Sequence, residues 1–165
     1  MQNNSKTIVF SDLDGTLIDT ITGETFPKGV WDMKIKFDVL DKIKKEYNPK
    51  YLFIVTNQGG LGTFVNLENF VNKLNYIKSA IKEYLDCIVD FEYCGSLDKT
   101  HKCRKPNIGM ADILLNSHFL TDVGLWQMIM IGDASGKEGN FSDSDKKFAE
   151  NLGIEYIDVN DLLCK

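Results

Sequence analysis

The stretch Thr7-Ile8-Val9-Phe10-Ser11-Asp12-Leu13-Asp14-Gly15-Thr16 decides the fold. Its first four residues are β-branched or aromatic without alternation, the pattern of a strand buried on both faces of a parallel sheet. A polar loop begins where the run stops. The same event recurs downstream: Tyr51-Leu52-Phe53-Ile54-Val55 gives way to Thr56-Asn57-Gln58-Gly59-Gly60, and Met128-Ile129-Met130-Ile131 to Gly132-Asp133. Ile88-Val89-Asp90-Phe91-Glu92-Tyr93 and Ile154-Glu155-Tyr156-Ile157 read as two further strands.

Helical patterns lie between these runs. Ile35, Val39, Leu40 and Ile43 repeat at helical spacing until Asn48-Pro49 stops them. Leu67, Phe70, Val71, Leu74, Ile77, Ile81 and Leu85 fall on one helical face. Pro106 is expected in the first turn of a helix reaching about Leu115, and residues 146–151 form a helix with Gly153 at its C′ position. Residues 20–32, containing Gly23, Pro27 and Gly29, read as an irregular excursion. The alternation predicts an α/β protein with a parallel sheet and helices on both faces, as a single domain over residues 1–165. In such sheets ligands bind beyond the carboxyl ends of the strands, where Asp12, Asp14, Thr56, Asn57 and Asp133 all fall.

With 165 residues, 43% of them hydrophobic, the chain can bury a core without disulfide staples. No apolar run is long enough for a membrane span, and Met1-Gln2-Asn3-Asn4-Ser5-Lys6 lacks the form of a signal peptide, so the expected location is the cytoplasm. The net charge of −5 argues against general coating of nucleic acid; any such contact must be local. In a cytoplasmic chain, Cys87, Cys94, Cys103 and Cys164 are expected as free thiols.

Asp12 and Asp14, one residue apart at a strand end, point to the same side. Gly15 permits a sharp turn and close approach to an anion. Asp133 arrives from another strand, and three hard carboxylates in one crevice call for Mg²⁺ rather than Zn²⁺. A phosphate monoester also needs a cation from the protein, for which Lys105 is the candidate, and hydrogen-bond donors, for which Thr56 and Asn57 are. The set describes covalent phosphoryl transfer: Asp12 attacks phosphorus, while Asp14 protonates the leaving oxygen and then activates water. Asp14 is expected to meet the metal through its backbone carbonyl, leaving its carboxyl free for proton transfer.

Ile8–Thr16, Val55-Thr56-Asn57, Arg104-Lys105-Pro106 and Met130-Ile131-Gly132-Asp133 resemble, in order, motifs I to IV of the haloacid dehalogenase (HAD) superfamily. Thr22-Gly23-Glu24-Thr25-Phe26-Pro27 with Trp31-Asp32, Thr56–Gly62, Arg104–Met110, Gly132–Gly136 and Asn140–Asp145 resemble the polynucleotide kinase 3′-phosphatases more closely. That resemblance implies a HAD-like Rossmannoid fold with a minimal cap and a Mg²⁺-dependent phosphatase removing 3′-phosphates from DNA ends. It assigns Asp12 as nucleophile, Asp14 as acid and base, Lys105 as phosphate stabiliser and Asp133 as metal ligand. Thr56 joins the candidate catalytic set, and Gly15, Thr16, Asn57 and Arg104 are the candidate substrate-binding residues. Asp12, Asp14 and Asp133 become the metal set, with Asp145 a further acidic residue near it. The Gly-x-x-x-x-Gly-Lys-Ser/Thr loop of the two-function members is missing from this sequence, so 5′-kinase activity is not expected.

Cys94, His101 and Cys103 offer three zinc donors without an evident fourth and are expected as solvated loop residues. Lys99, Lys102, Arg104 and Lys105 form a basic cluster suited to further phosphates. His118 reads as a surface helix residue. Phe64, Phe141 and Trp31 are candidates for stacking on a base, though packing is the commoner fate of such side chains. The rival enzyme reading is a small-metabolite phosphatase of the histidinol-phosphate or heptose-bisphosphate type. A catalytically silent binding module for phosphorylated ends is the rival from another class. The expected partner is thus a phosphorylated nucleic-acid end or a small phosphate ester.

Overall fold

Five apolar strands line up in parallel in the order β5-β4-β1-β6-β7, in the computed structural model that describes residues 6–165. Residues 1–5, the polar start assessed above for a leader, lie outside the described residues. The strands are β1 (Thr7–Ser11), β4 (Tyr51–Asn57), β5 (Ile88–Cys94), β6 (Gln127–Gly132) and β7 (Glu155–Asp158). Thus β1 is central, pairing β4 through Phe10 opposite Phe53 and β6 through Phe10 opposite Met130. A short antiparallel pair, β2 (Ile18–Asp19) and β3 (Lys34–Ile35), stands after β1 as the small cap.

The helices are α1 (Phe37–Tyr47), α2 (Leu67–Leu85), α3 (Gly109–Ser117), α4 (Ser144–Leu152) and α5 (Val159–Leu163). Successive strand side chains face opposite ways, which divides the core in two. Val9, Leu52, Ile54, Ile129 and Ile131 pack against α1, α2 and α5. Ile8, Phe10, Phe53, Val55 and Met130 pack against α3 and α4. Helices therefore cover both faces, which is why the central strands β1, β4 and β6 show no alternation, whereas edge strand β5 carries Asp90 and Glu92 between its apolar residues.

Local chemistry sets the helix ends. Asn66 caps α2, its side chain accepting from the backbone N–H of Asn69 at 3.1 Å. Asn48, Asp86 and Gly153 close α1, α2 and α4 in the left-handed conformation. Two expectations are corrected. Ile35 belongs to β3, paired with Ile18, because the chain finishes the cap before α1 starts. Pro106 lies in a turn ahead of α3, after a cis Lys105–Pro106 bond; the helix waits until Gly109, whose N–H donates to the Lys102 carbonyl at 3.0 Å. A Cβ at Gly109 would stand 2.4 Å from that oxygen, so the close approach requires glycine. The short α5 and a 3₁₀ turn at Val123–Leu125 carried no periodic signal in the sequence.

Phe148 of α4 is fully buried and meets Phe10 edge-on at 6.1 Å. Phe148→Ala is expected to cost about 3–5 kcal/mol of stability in urea unfolding; a loss below about 1 kcal/mol would show that this face is not close-packed.

Candidate active site

The carboxyl ends of β1, β4 and β6 deliver polar groups to one crevice. Asp12 leaves β1 with its N–H donating to the Ile131 carbonyl of β6 at 3.0 Å. Lys105 comes from the loop ahead of α3, and only 3% of it is exposed. Its Nζ donates to Asp12 Oδ1 at 2.7 Å and to Asp145 Oδ1 at 2.6 Å. Asp145, in the first turn of α4, is 1% exposed, and its Oδ2 accepts from the Ala134 N–H at 3.1 Å. Asn57, at the end of β4, accepts from the Lys105 N–H at 2.9 Å and donates to the Lys105 carbonyl at 3.1 Å. That double grip fixes the lysine backbone, and it occupies the amide group expected to meet a phosphate.

Asp14 stands apart from this cluster and is exposed. Its Oδ2 accepts from Gln58 Nε2 at 2.8 Å, and the same nitrogen donates to Thr56 Oγ1 at 2.9 Å. Gln58 is a site residue without a role assigned from the sequence; its place directly after Thr56-Asn57 is the signal that points to it. Thr56 is buried at 1% exposure, and Thr16 Oγ1 is buried without a hydrogen-bond partner. Such an orphaned hydroxyl beside the crevice is the condition a phosphoryl oxygen would relieve. Gly15 has φ +77°, and a Cβ there would lie 2.2 Å from Asp133 Oδ2. Glycine is thus required by both conformation and space.

The crevice carries more negative than positive charge. Burial pushes the Asp12 carboxyl up to about 8; the Lys105 ammonium opposes that shift, and Asp145 and Asp133 add to it. Burial, then Asp145, pushes Asp133 up to about 6. Burial alone would lower the Lys105 ammonium, but the Asp12 and Asp145 carboxylates override it and keep the group charged. Asp12, Asp133 and Asp145 offer carboxylate oxygens within 4.8 Å of one another. Hard oxygen donors with one lysine between three acids fit a divalent cation such as Mg²⁺. The Asp14 carboxylate is not in this group, so only the Asp14 backbone could join it.

The other residues singled out in the sequence are distributed differently. Arg104 Nη1 donates to the Ser96 carbonyl at 2.9 Å, bracing the loop next to Lys105. Lys99 and Lys102 are exposed. Cys94 and Cys103 form a disulfide, with their Cα atoms 5.5 Å apart, which corrects the free-thiol expectation for this pair. Strand β5 ends in buried Cys94 just where the chain returns toward Lys105, so the two sulfurs meet. His101 lies beside them, its Nδ1 accepting from the Cys103 N–H at 3.2 Å, but bonded sulfurs give no thiolate pair for zinc. Cys87 and Cys164 are free.

His118 is corrected from surface residue to half-buried partner. Its Nε2 lies 2.9 Å from Asp90 Oδ2, and its ring packs on Tyr51 and Phe53. Phe64 and Phe141 stand 88% and 95% exposed, which leaves both without a packing role. Trp31 packs edge-on against Tyr76 at 5.9 Å.

Residues 7–161 match the family model described as polynucleotide kinase 3 phosphatase. The chain is 37% identical over 163 residues to the bifunctional polynucleotide phosphatase/kinase of Schizosaccharomyces pombe, covering 94% of this chain and 37% of that protein. It is 33% identical over 153 residues to a 20.8 kDa protein of Autographa californica nuclear polyhedrosis virus, covering 88% and 79%. Identity is 29% over 160 residues to the histidine biosynthesis bifunctional protein HisB of Buchnera aphidicola, covering 95% and 42%. The chain therefore spans less than half of two of these three relatives. Among solved structures, a HAD-like phosphatase from Mesorhizobium loti superposes with a TM-score of 0.64 at 20% identity, covering 96% and 84%. The D,D-heptose 1,7-bisphosphate phosphatase of B. bronchiseptica, complexed with magnesium and phosphate, gives 0.61 at 19%, covering 95% and 96%. These likenesses establish the HAD-like fold.

The raised carboxyls make stability depend on pH. An acid whose pKa is higher folded than unfolded binds more protons in the folded state, so stability falls as pH rises between the two values. For Asp12 and Asp133 that window opens near 4 and closes near 8. In EDTA the melting temperature is expected to drop from pH 5 to pH 8, and millimolar Mg²⁺ to restore it more at pH 8. Equal Mg²⁺ increments at both pH values would show that these carboxyls do not form the cation site.

Proposed function

The chain belongs to the polynucleotide kinase 3 phosphatase family, and we propose that it is a Mg²⁺-dependent phosphomonoesterase removing 3′-phosphates from DNA ends in the cytoplasm. Residues 1–165 would act as one phosphatase domain. The observation that carries the reading is the buried Lys105 ammonium shared between Asp12 and Asp145, with Asp133 beside them at the sheet's carboxyl edge.

In this reading Asp12 is the nucleophile. Lys105 holds Oδ1, which leaves Oδ2 to attack phosphorus in line and form an aspartyl phosphate. Asp14, held by Gln58 and outside the carboxylate cluster, protonates the departing oxygen and later takes a proton from the hydrolytic water. Thr56 accepts from Gln58 and so keeps its own O–H free to donate to a phosphoryl oxygen. Thr16 supplies a second hydroxyl, and Gly15 lets the backbone come close. Asn57 and Arg104 act on the phosphate through the Lys105 loop they hold. Mg²⁺, when held by Asp12, Asp133 and the Asp14 backbone with Asp145 behind them, supplies the charge that offsets phosphate and carboxylates.

Two features support a large substrate. Between β1 and α1 the cap is only the β2–β3 pair and its connecting loop, so the crevice is open on that side. A cavity of about 270 Å³, lined by Gly15, Asp133, Asn140 and Phe141 among others, runs beside the site, and exposed Phe141 offers a stacking face. A small-metabolite phosphatase is the second reading, supported by the HisB and heptose-bisphosphatase relatives. The S. pombe relative's name includes a kinase, but its phosphate-loop motif is missing from this sequence, so no kinase activity is proposed.

The deciding measurement is phosphate release from a 3′-phosphorylated oligonucleotide, a 5′-phosphorylated one, histidinol phosphate and a heptose bisphosphate. The first should turn over fastest; a preference for either metabolite would overturn the proposal. Asp12→Asn should abolish turnover, and residual activity within tenfold of the unaltered protein would defeat the covalent mechanism. Lys105→Ala should lower kcat by about 10²–10³-fold or more, the scale for losing one electrostatic stabiliser; a change in KM alone would refute its assigned role.

A further inference from the structure

Helix α2 carries one lysine among its buried apolar contacts. Phe70, Leu74, Ile77, Ile81 and Leu85 are buried, and so is Lys73, at 5% exposure. Among the described residues Lys73 has no hydrogen-bond or ion-pair partner. Its stem is buried, while the Nζ, which is not among the fully enclosed polar atoms, keeps an opening to solvent. The chief charges acting on it are those of Asp14 and then Asp32. Asp32 already accepts from the backbone N–H groups of Ile21, Thr22 and Lys28 and from the Thr22 hydroxyl. Asp14 is held by Gln58. Neither carboxylate closes on the lysine.

The helix geometry directs Lys73 to the crevice. α2 returns from β4 to the parallel β5, so its first turn lies at the sheet's carboxyl edge. Lys73 follows Leu67 by six residues, about 9 Å along the axis, and helical side chains lean toward the N-terminus. The side chain therefore reaches back toward Asp14, the leaving-group side of the proposed reaction. The other buried cations are committed: Lys105 lies between two carboxylates, and the mostly buried Lys36 meets the Gly15 carbonyl at 3.4 Å and Asp19 at 3.7 Å. Lys73 alone among these three has no partner.

We propose that Lys73 is a substrate-binding residue that takes a second phosphate of the substrate, on the leaving-group side of the scissile one. Resting on the polynucleotide reading, that group is the 5′-phosphate of the terminal nucleotide, free or as the phosphodiester joining it to its neighbour. The residue would thus distinguish a strand end from a simple monoester. Burial also pulls the Lys73 ammonium below the ordinary lysine range; a bound phosphate would reverse that pull.

The test compares Lys73→Met and Lys73→Arg with the unaltered protein, with Mg²⁺ present, on four substrates: p-nitrophenyl phosphate, thymidine 3′-phosphate, thymidine 3′,5′-bisphosphate and a thymidine dinucleotide 3′-phosphate. Lys73→Met should raise KM at least tenfold for the last two, with kcat within threefold. It should leave the first two within twofold, and Lys73→Arg should restore most of the loss. Because methionine keeps the buried apolar stem and removes only an ammonium without a partner, the variant should melt no lower than the unaltered protein. Equal losses on all four substrates, or none on any, would overturn the proposal. If the unaltered protein cleaves p-nitrophenyl phosphate but none of the nucleotides, the polynucleotide reading has failed. The lysine is then tested on fructose 1,6-bisphosphate against fructose 6-phosphate, where an unchanged KM ratio in Lys73→Met would overturn it.

Discussion

One ammonium between two buried carboxylates organises the site. Lys105 holds Asp12 and Asp145 within hydrogen-bond reach, although the two acids come from opposite ends of the sequence and would repel without it. Removing one member of a buried charge cluster leaves the others uncompensated, at a cost of several kcal/mol. The surrounding structure follows from that need. Asn57 clamps the lysine backbone, Arg104 braces the preceding loop on Ser96, and the Ala134 N–H steadies Asp145. Each is a backbone or side-chain bond that keeps the charges where a dianionic phosphate and a cation would find them, so no reorganisation is asked of the protein at the moment of transfer.

The parallel sheet explains why one edge can do this. β1, β4 and β6 are adjacent and run the same way, so the residues following each strand arrive at the same height. α2 and α4 return the chain across opposite faces; the first turn of α4 brings Asp145 to that edge, and the second turn of α2 carries Lys73, whose side chain leans back toward it. Both residues are buried, yet they differ in partnership: Asp145 accepts from Lys105 and Ala134, whereas Lys73 has no hydrogen-bond or ion-pair partner among the described residues.

Much of this was legible in the sequence because the three central strands are apolar runs that end abruptly in polar residues. The central strands, the long α2 and the set of residues at the carboxyl edge could be read from those boundaries alone. Other features depend on tertiary contact. Ile35 matches the helical spacing of Val39 and Leu40, yet its pairing with Ile18 takes it into the cap. Pro106 suits a helix start in isolation, but the close packing of Gly109 on Lys102 delays the helix. His118 looked exposed until Asp90 and two rings enclosed it. Lys73 could not be singled out, since one lysine in an amphipathic pattern normally lies on the polar face. Asp145 carries no local signal, since an acid in a helix's first turn is common; the motif resemblance points to it near the metal set, and the fold adds its contact with Lys105.

Gly15 and Gly132 leave room for the acids beside them. A Cβ at Gly132 would fall 2.3 Å from Asp145 Oδ2, as one at Gly15 would from Asp133 at 2.2 Å. Each of these two acids therefore occupies the volume of a side chain that its neighbour does not have. A methyl group added at either position would have to push aside the carboxylate that fills its space. Substitution there would therefore register first in the placement of charge, ahead of any change in the sheet.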